Sequence, residues 1–225
     1  MIEVFPDYPN EGTTRRDNET GEAVGDMTYR EWESMKALTT ETDQSIMSDS
    51  GELWHAITRE SIESVPEFTE FGSDETNIAV HNACVDILTD MQSHEIGTEK
   101  AISIPLSGNT LVPSTGGEGE GMVSVPILAE PYIAAHNHPG NDTLSFQDIG
   151  YFWKHQHCVG ILAIGNNGKS VYSIIRTKQY DDYGFTAYRL HHLKHPELMS
   201  SEDDFLKGAE KYGIRYVTRN GQGIY

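Results

Sequence analysis

Residues 135–148 limit the architectures open to this chain more than any other stretch: Ala135-His136-Asn137-His138-Pro139-Gly140-Asn141-Asp142-Thr143-Leu144-Ser145-Phe146-Gln147-Asp148. An apolar run, Tyr132-Ile133-Ala134-Ala135, leads into it and predicts a strand. Residues i and i+2 of a strand share a face, so His136 and His138 can converge on one point. Pro139-Gly140-Asn141 predicts a turn, and Ser145 with an acid three residues later predicts a helix start. Folding that helix back carries Asp148 toward the two imidazoles. Two imidazoles, one carboxylate and an open fourth position form the donor set of a catalytic zinc site, and Zn2+ is its natural occupant. Each half alone has a plainer reading, two exposed histidines or a capping box. Their conjunction, with Pro139 directly after the second histidine, favours the metal site.

Around this stretch the periodicities alternate between helix and strand. Residues 1–26 are polar, are interrupted by Pro6, Pro9, Gly12, Gly21 and Gly25, and predict a flexible arm. Helices are expected from Tyr29 to Leu38 and from Ser50 to about Ser64, so that residues 27–72 form a helical appendage. Asp74 caps the clearest helix, whose stripe is Val80, Cys84, Ile87, Leu88 and Met91, and Gly97 stops it. Thr98–Pro105 and Leu111-Val112 predict a hairpin around Ser107-Gly108-Asn109. Gly116–Gly121 is an acidic loop, and Met122–Val125 a short strand. Beyond the histidines come a helix over 145–157, strands Cys158–Gly165 and Ser170–Ile175 around Asn166-Asn167-Gly168, and helices over 182–194 and 201–212. A strand over 214–217 closes the pattern.

Charge narrows the function classes. Sixteen Lys plus Arg against 35 Asp plus Glu leave a formal charge of −19, a field that repels a phosphate backbone. Arg15-Arg16 is the only basic doublet, so a nucleic-acid partner is not expected. Cys84 and Cys158, the two cysteines, both fall on apolar elements and are expected to be buried thiols. No apolar run approaches ~18 residues and Met1–Asp7 has no signal-peptide pattern, so a cytoplasmic protein that does not enter a membrane is expected.

His-x-His-Pro followed at short range by Ser-x-x-Asp resembles the signature of the JAMM (MPN+) zinc metalloproteases. The Asn-His-Pro-Gly wording is most similar to bacterial and phage-encoded members, including the RadC-like proteins. The resemblance spans roughly residues 74–176, and six residues separate His138 from Ser145 where the usual family pattern has seven. It implies an α/β fold of the JAMM/MPN (cytidine-deaminase-like) kind: a curved mixed sheet flanked by helices, here with an N-terminal helical extension. The domain would cover 73–225, with C-terminal helices. It implies a zinc ion on His136, His138 and Asp148, and a glutamate base ahead of a strand that neighbours the histidine strand. Glu99 fits that place, with Glu95 as competitor and Glu118 and Glu120 more distant choices. Ser145 would join the metal in stabilising the oxyanion. The implied activity is hydrolysis of peptide or isopeptide bonds, on a protein or peptide substrate such as a ubiquitin-like tail. A non-catalytic scaffold of the same fold and a RadC-like DNA-associated role are the alternatives. Asn137 is expected to face away from the ligands in a structural role. His81, and the group His191, His192 and His195, read as surface or boundary histidines, since no His-Glu-x-x-His pattern accompanies them.

Overall fold

A computed structural model of the protein describes residues 54–108, 111–114, 123–198 and 201–220. The expected arm over 1–26, the Tyr29–Leu38 helix, the start of the Ser50 helix and the Gly116–Gly121 loop lie outside these residues. Along the described chain run helices α1 (Arg59–Glu63) and α2 (Asp74–Met91), and strands β1 (Ala101–Pro105), β2 (Val112–Pro113) and β3 (Tyr132–His138). Helix α3 (Phe146–Lys154), strands β4 (Cys158–Gly165) and β5 (Ser170–Arg176), and helices α4 (Asp182–Lys194) and α5 (Glu202–Ala209) follow. Strand β6 (Ile214–Asn220) ends the series. The strands form one mixed six-stranded sheet in the order β2-β1-β3-β4-β5-β6, in which β3 and β4 are parallel and every other pair is antiparallel. The fold is therefore α/β, with helices on both faces of the sheet.

Strand alternation divides the core into two layers. On one face Ile102, Ile104, Ile133, Ala135, Leu162, Ile164 and Val171 meet the α2 stripe of Val80, Ala83, Cys84, Ile87, Leu88 and Met91. On the other, Tyr132, Ala134, Ile161, Ala163 and Ile174 meet Ile149, Phe152 and Trp153 of α3, Phe185 of α4 and Phe205 and Leu206 of α5. Every residue of β3 is buried, as a strand covered on both faces must be. Both cysteines are buried free thiols, as their apolar settings imply.

Several local expectations shift. Ser73, not Asp74, is the N-cap of α2, and the helix ends at Met91; Gly97, at φ 101°, belongs to the turns that follow. Residues 54–58 are not helical, because His55 spends its backbone groups on tertiary bonds: its N–H donates to Pro139 O (2.9 Å) and its carbonyl accepts from Asn166 Nδ2 (2.7 Å). Only Arg59–Glu63 is helical there, started by a capping box between Thr58 and Ser61. Residues 123–125 form no strand. Pro126, next in the chain, has no N–H for a ladder, and its carbonyl accepts from the Tyr151 hydroxyl (3.4 Å). Val65, Phe68 and Phe71 of the 54–72 segment are buried in the same core as α2, so this part of the expected appendage packs into the α/β body. No helix among the described residues is long and apolar enough to cross a membrane.

Candidate metal centre

Alternation along β3 sets the chemistry. Ala134, on the α3 face, is followed on that face by His136 and His138, while Asn137 points to the α2 side with Ala135. The histidines lie at the C-terminal end of the strand, where β3 is parallel to β4, with His136 beside Ala163 and His138 beside Gly165. Ligands commonly bind outside the carboxyl ends of parallel strands, where the chain leaves the sheet for a helix.

The connection from His138 to α3 turns at Asn141. It adopts a left-handed conformation (φ 61°), which asparagine tolerates better than most side chains. Its N–H donates to His138 O (3.2 Å), and its side-chain Oδ1 accepts the Asn167 N–H (2.9 Å) from the β4–β5 turn. Gly165 makes room, since a Cβ there would come within 2.6 Å of that Oδ1. The loop thus delivers Ser145 as the N-cap of α3, in a full capping box with Asp148. Ser145 Oγ accepts the Asp148 N–H (3.2 Å), while its own hydroxyl and backbone N–H donate to Asp148 Oδ2 at 2.7 and 2.8 Å. Asp148 Oδ1 faces His136, while Oδ2, held by Ser145, also lies near His138.

The three side chains converge. His136 Nε2 lies 2.9 Å from His138 Nε2 and 3.1 Å from Asp148 Oδ1, and His138 Nε2 lies 3.4 Å from Asp148 Oδ2. Tetrahedral zinc with bonds of about 2.0–2.1 Å sets its ligand atoms about 3.3 Å apart, so the spacing fits such an ion. Among the described residues this is the one group of three or more His, Cys, Asp or Glu side chains near enough to share a metal. His138 Nδ1 faces the Asp142 carbonyl (3.2 Å) and carboxylate (3.5 Å), which keeps a proton on Nδ1 and directs the Nε2 lone pair inward. His136 Nδ1 is buried with no hydrogen-bond partner among the described residues.

The electrostatics suit a cation. Burial opposes a charge on His138, but its bonds to Asp142 and Asp148 and the charges of Asp148 and Glu99 outweigh burial and hold its pKa well above the ordinary value. Burial likewise opposes the Asp148 carboxylate, and the two histidines overcome it, holding its pKa well below the usual range. A cluster that so strongly favours a proton on one member would also favour a divalent cation once both imidazoles are neutral.

Glu99 lies beside the cluster. The antiparallel β1–β3 ladder begins with Ala101 opposite His136, and Glu99, two residues before it, is near enough to His136, His138 and Asp148 for their charges to act on it. Its side chain is 8% exposed; burial raises its pKa, against the charges of His136 and His138, while Asp148 and Asp142 raise it further. A partly desolvated carboxyl group beside such a cluster can exchange a proton with a neighbouring molecule, which makes Glu99 the candidate for acid–base chemistry here. Glu95, the competitor, is exposed, and Glu118 and Glu120 lie outside the described residues.

Sequence reasoning missed what holds Glu99. The Asn137 side chain accepts the Lys100 N–H at Oδ1 (2.8 Å) and donates from Nδ2 to Thr98 O (3.1 Å) and Asn166 Oδ1 (3.0 Å). Asn166 in turn donates to His55 O, so the 54–58 segment supports the same network. The available signal was a lone amide in an otherwise apolar central strand, since a buried polar group needs partners. The remaining histidines lie elsewhere: His155 caps the far end of α3, and the His157 carbonyl accepts the N–H of Tyr132 at the opposite end of β3. His81 Nδ1 meets Pro66 O (3.0 Å), and His191 and His195 are exposed on α4 and its C-cap. Comparisons of the chain with protein-family models, curated proteins and solved structures found no match.

Proposed function

We propose that this protein is a zinc-dependent hydrolase of peptide or isopeptide bonds, of the JAMM type that its His-x-His-Pro and Ser-x-x-Asp motifs resemble. The observation that supports the reading is the convergence of His136 Nε2, His138 Nε2 and Asp148 into a group near enough to share one metal ion, with the Glu99 carboxyl within reach of their charges. His136, His138 and Asp148 would hold the zinc. When bound, the ion would acidify a water molecule and polarise the scissile carbonyl. Glu99, whose carboxyl lies beside the three side chains, would take the proton of the attacking water and pass it to the leaving amine. Ser145 fixes Asp148 through its two donated bonds, and its hydroxyl is the group that would stabilise negative charge developing on the scissile carbonyl oxygen. Asp142 keeps His138 in the tautomer that offers Nε2. The substrate is a protein or peptide, a ubiquitin-like tail being one form; the charge of −19 weighs against a DNA-associated role.

The test is elemental analysis of tag-free protein followed by hydrolysis of fluorogenic linear and lysine-branched peptides. About one zinc per chain is expected. Replacing Glu99 by Gln should keep the zinc and slow hydrolysis by about 10²–10⁴-fold, whereas Asp148→Asn should lose both. Wild-type protein that takes up no zinc, or a Glu99→Gln protein of undiminished activity, would overturn the reading.

A further inference from the structure

We propose that Asn137 is a positioning residue that sets the place of the Glu99 carboxylate by gripping the two peptide groups on either side of its Cα. The inference rests on the metal-hydrolase reading above and adds a role that the ligand motif does not contain. Thr98 O belongs to the peptide group before Glu99, and the Lys100 N–H to the one after it. Asn137 Nδ2 donates to the first and Asn137 Oδ1 accepts from the second, at 3.1 and 2.8 Å. One planar amide therefore constrains both φ and ψ of Glu99, and with them the direction of its Cα–Cβ bond. A backbone bond just beyond the ladder adds a third tie, Asn137 N–H to Lys100 O at 3.3 Å.

The grip is itself held. The second Nδ2 hydrogen goes to Asn166 Oδ1 at 3.0 Å, and Asn166 Nδ2 donates to His55 O at 2.7 Å. Asn137 is fully buried and Asn166 nearly so, so water does not compete for these bonds. On the outer side of the bend the Trp54 ring packs against Gly97, where a Cβ would meet it at 2.5 Å. The stretch leading to Glu99 is thus fixed from the strand side by an amide and from the surface side by an indole. Because strand alternation turns Asn137 away from His136 and His138, it supports the base without touching the metal. A base held within about 0.5 Å of its working position requires such support.

Cobalt(II) in place of zinc gives a test that needs no substrate. Wild-type protein should bind about one Co2+ per chain with a visible spectrum that changes as bound solvent ionises, and Glu99→Gln should displace the midpoint of that change. Asn137 is uncharged, so Asn137→Ala removes no charge from a site whose charged neighbours are His136, His138, Asp142 and Asp148. It should nonetheless move the midpoint in the same direction as Glu99→Gln, by about 0.5 pH unit or more, with cobalt affinity kept within about threefold. The double variant should move no further than Glu99→Gln alone. If Asn137→Ala does not fold, Asn166→Ala carries the test, with a smaller shift of the same sign expected. An unchanged midpoint, a shift that adds to that of Glu99→Gln, or loss of cobalt from the variants with the wild type loaded would overturn the positioning role alone. A wild-type protein that binds no cobalt would overturn the metal reading, and this inference with it.

Discussion

At the scale of single residues, the site holds two carboxyl groups whose surroundings push them in opposite directions. Glu99 is buried beside Asp148 and Asp142 and its pKa is raised; Asp148, partly buried, faces two imidazoles and its pKa is lowered. A carboxyl whose pKa rises on folding favours the folded state only while protonated, and that contribution disappears as pH rises through the raised value. In chelator-treated protein, Glu99→Gln should therefore unfold at the wild-type temperature below the ordinary glutamate range and at a higher temperature at neutral pH. Thermal melts across pH would check this, and equal melting points at pH 7 and 8 would contradict it. His138 and Asp148 form the complementary pair. The raised pKa of His138 stabilises metal-free protein below the ordinary histidine range and loses that effect as pH rises through the raised value. The lowered pKa of Asp148 stabilises it above the ordinary aspartate range and loses that effect as pH falls through the depressed value. Metal-free stability from this pair should peak between those limits. Zinc requires neutral imidazoles, so the rise in melting temperature on adding zinc should grow as pH increases, and a flat difference would argue against these ligands.

At the scale of elements, Ser145 is cap and carboxylate holder at once. Its hydroxyl closes the first turn of α3 and also donates to the oxygen of Asp148 that faces away from the His136 ring. Ser145→Ala is expected to cost about 1 kcal/mol of stability through the lost cap and about 10-fold in metal affinity through the loosened carboxylate. Chemical denaturation and metal competition read these two losses separately. Element identity was legible where a long pattern had one interpretation: α2 has the expected apolar stripe, and β4 and β5 lie where their apolar runs end at Asn166-Asn167-Gly168. It was less legible where backbone groups bond outside their own segment. Ile57 and Ile62 suggest a helix beginning near Ser50, yet His55 gives its N–H and carbonyl to the site loop and Asn166, leaving α1 only five residues.

At the scale of the whole molecule, the last strand and the segment before α2 are tied together. Arg219 of β6 pairs with Glu70 at 2.5 Å, donates to Glu67 O at 2.6 Å and lies over the Phe68 ring. Both charged side chains are almost wholly buried, so removing one strands the other in a poorly solvated place. Glu70→Ala should cost roughly 3–5 kcal/mol, while replacing both residues by methionine should recover most of that loss. Equal losses for the single and double variants in urea titrations would show that the pair does not govern this contact. The same packing bears on where the folding unit begins: Val65, Phe68 and Phe71 lie in the core with α2. A chain starting at residue 73 would lose them and expose the apolar residues they cover.

The sequence by itself determined the local geometry of the candidate site. Period-two alternation puts His136 and His138 on one face, and the Ser145–Asp148 spacing starts a helix with its carboxylate in the first turn; both follow from backbone geometry within a few residues. Tertiary structure decided the rest, because the deciding contacts join residues distant in the chain. The β1–β3 pairing brings the segment before Ala101, and Glu99 with it, beside the histidines, Asn137 and Asn166 connect that bend to His55, and Asn141 against Gly165 seats the loop after His138. No periodicity records such bonds, since each depends on which strands become neighbours once the two apolar layers close on the sheet.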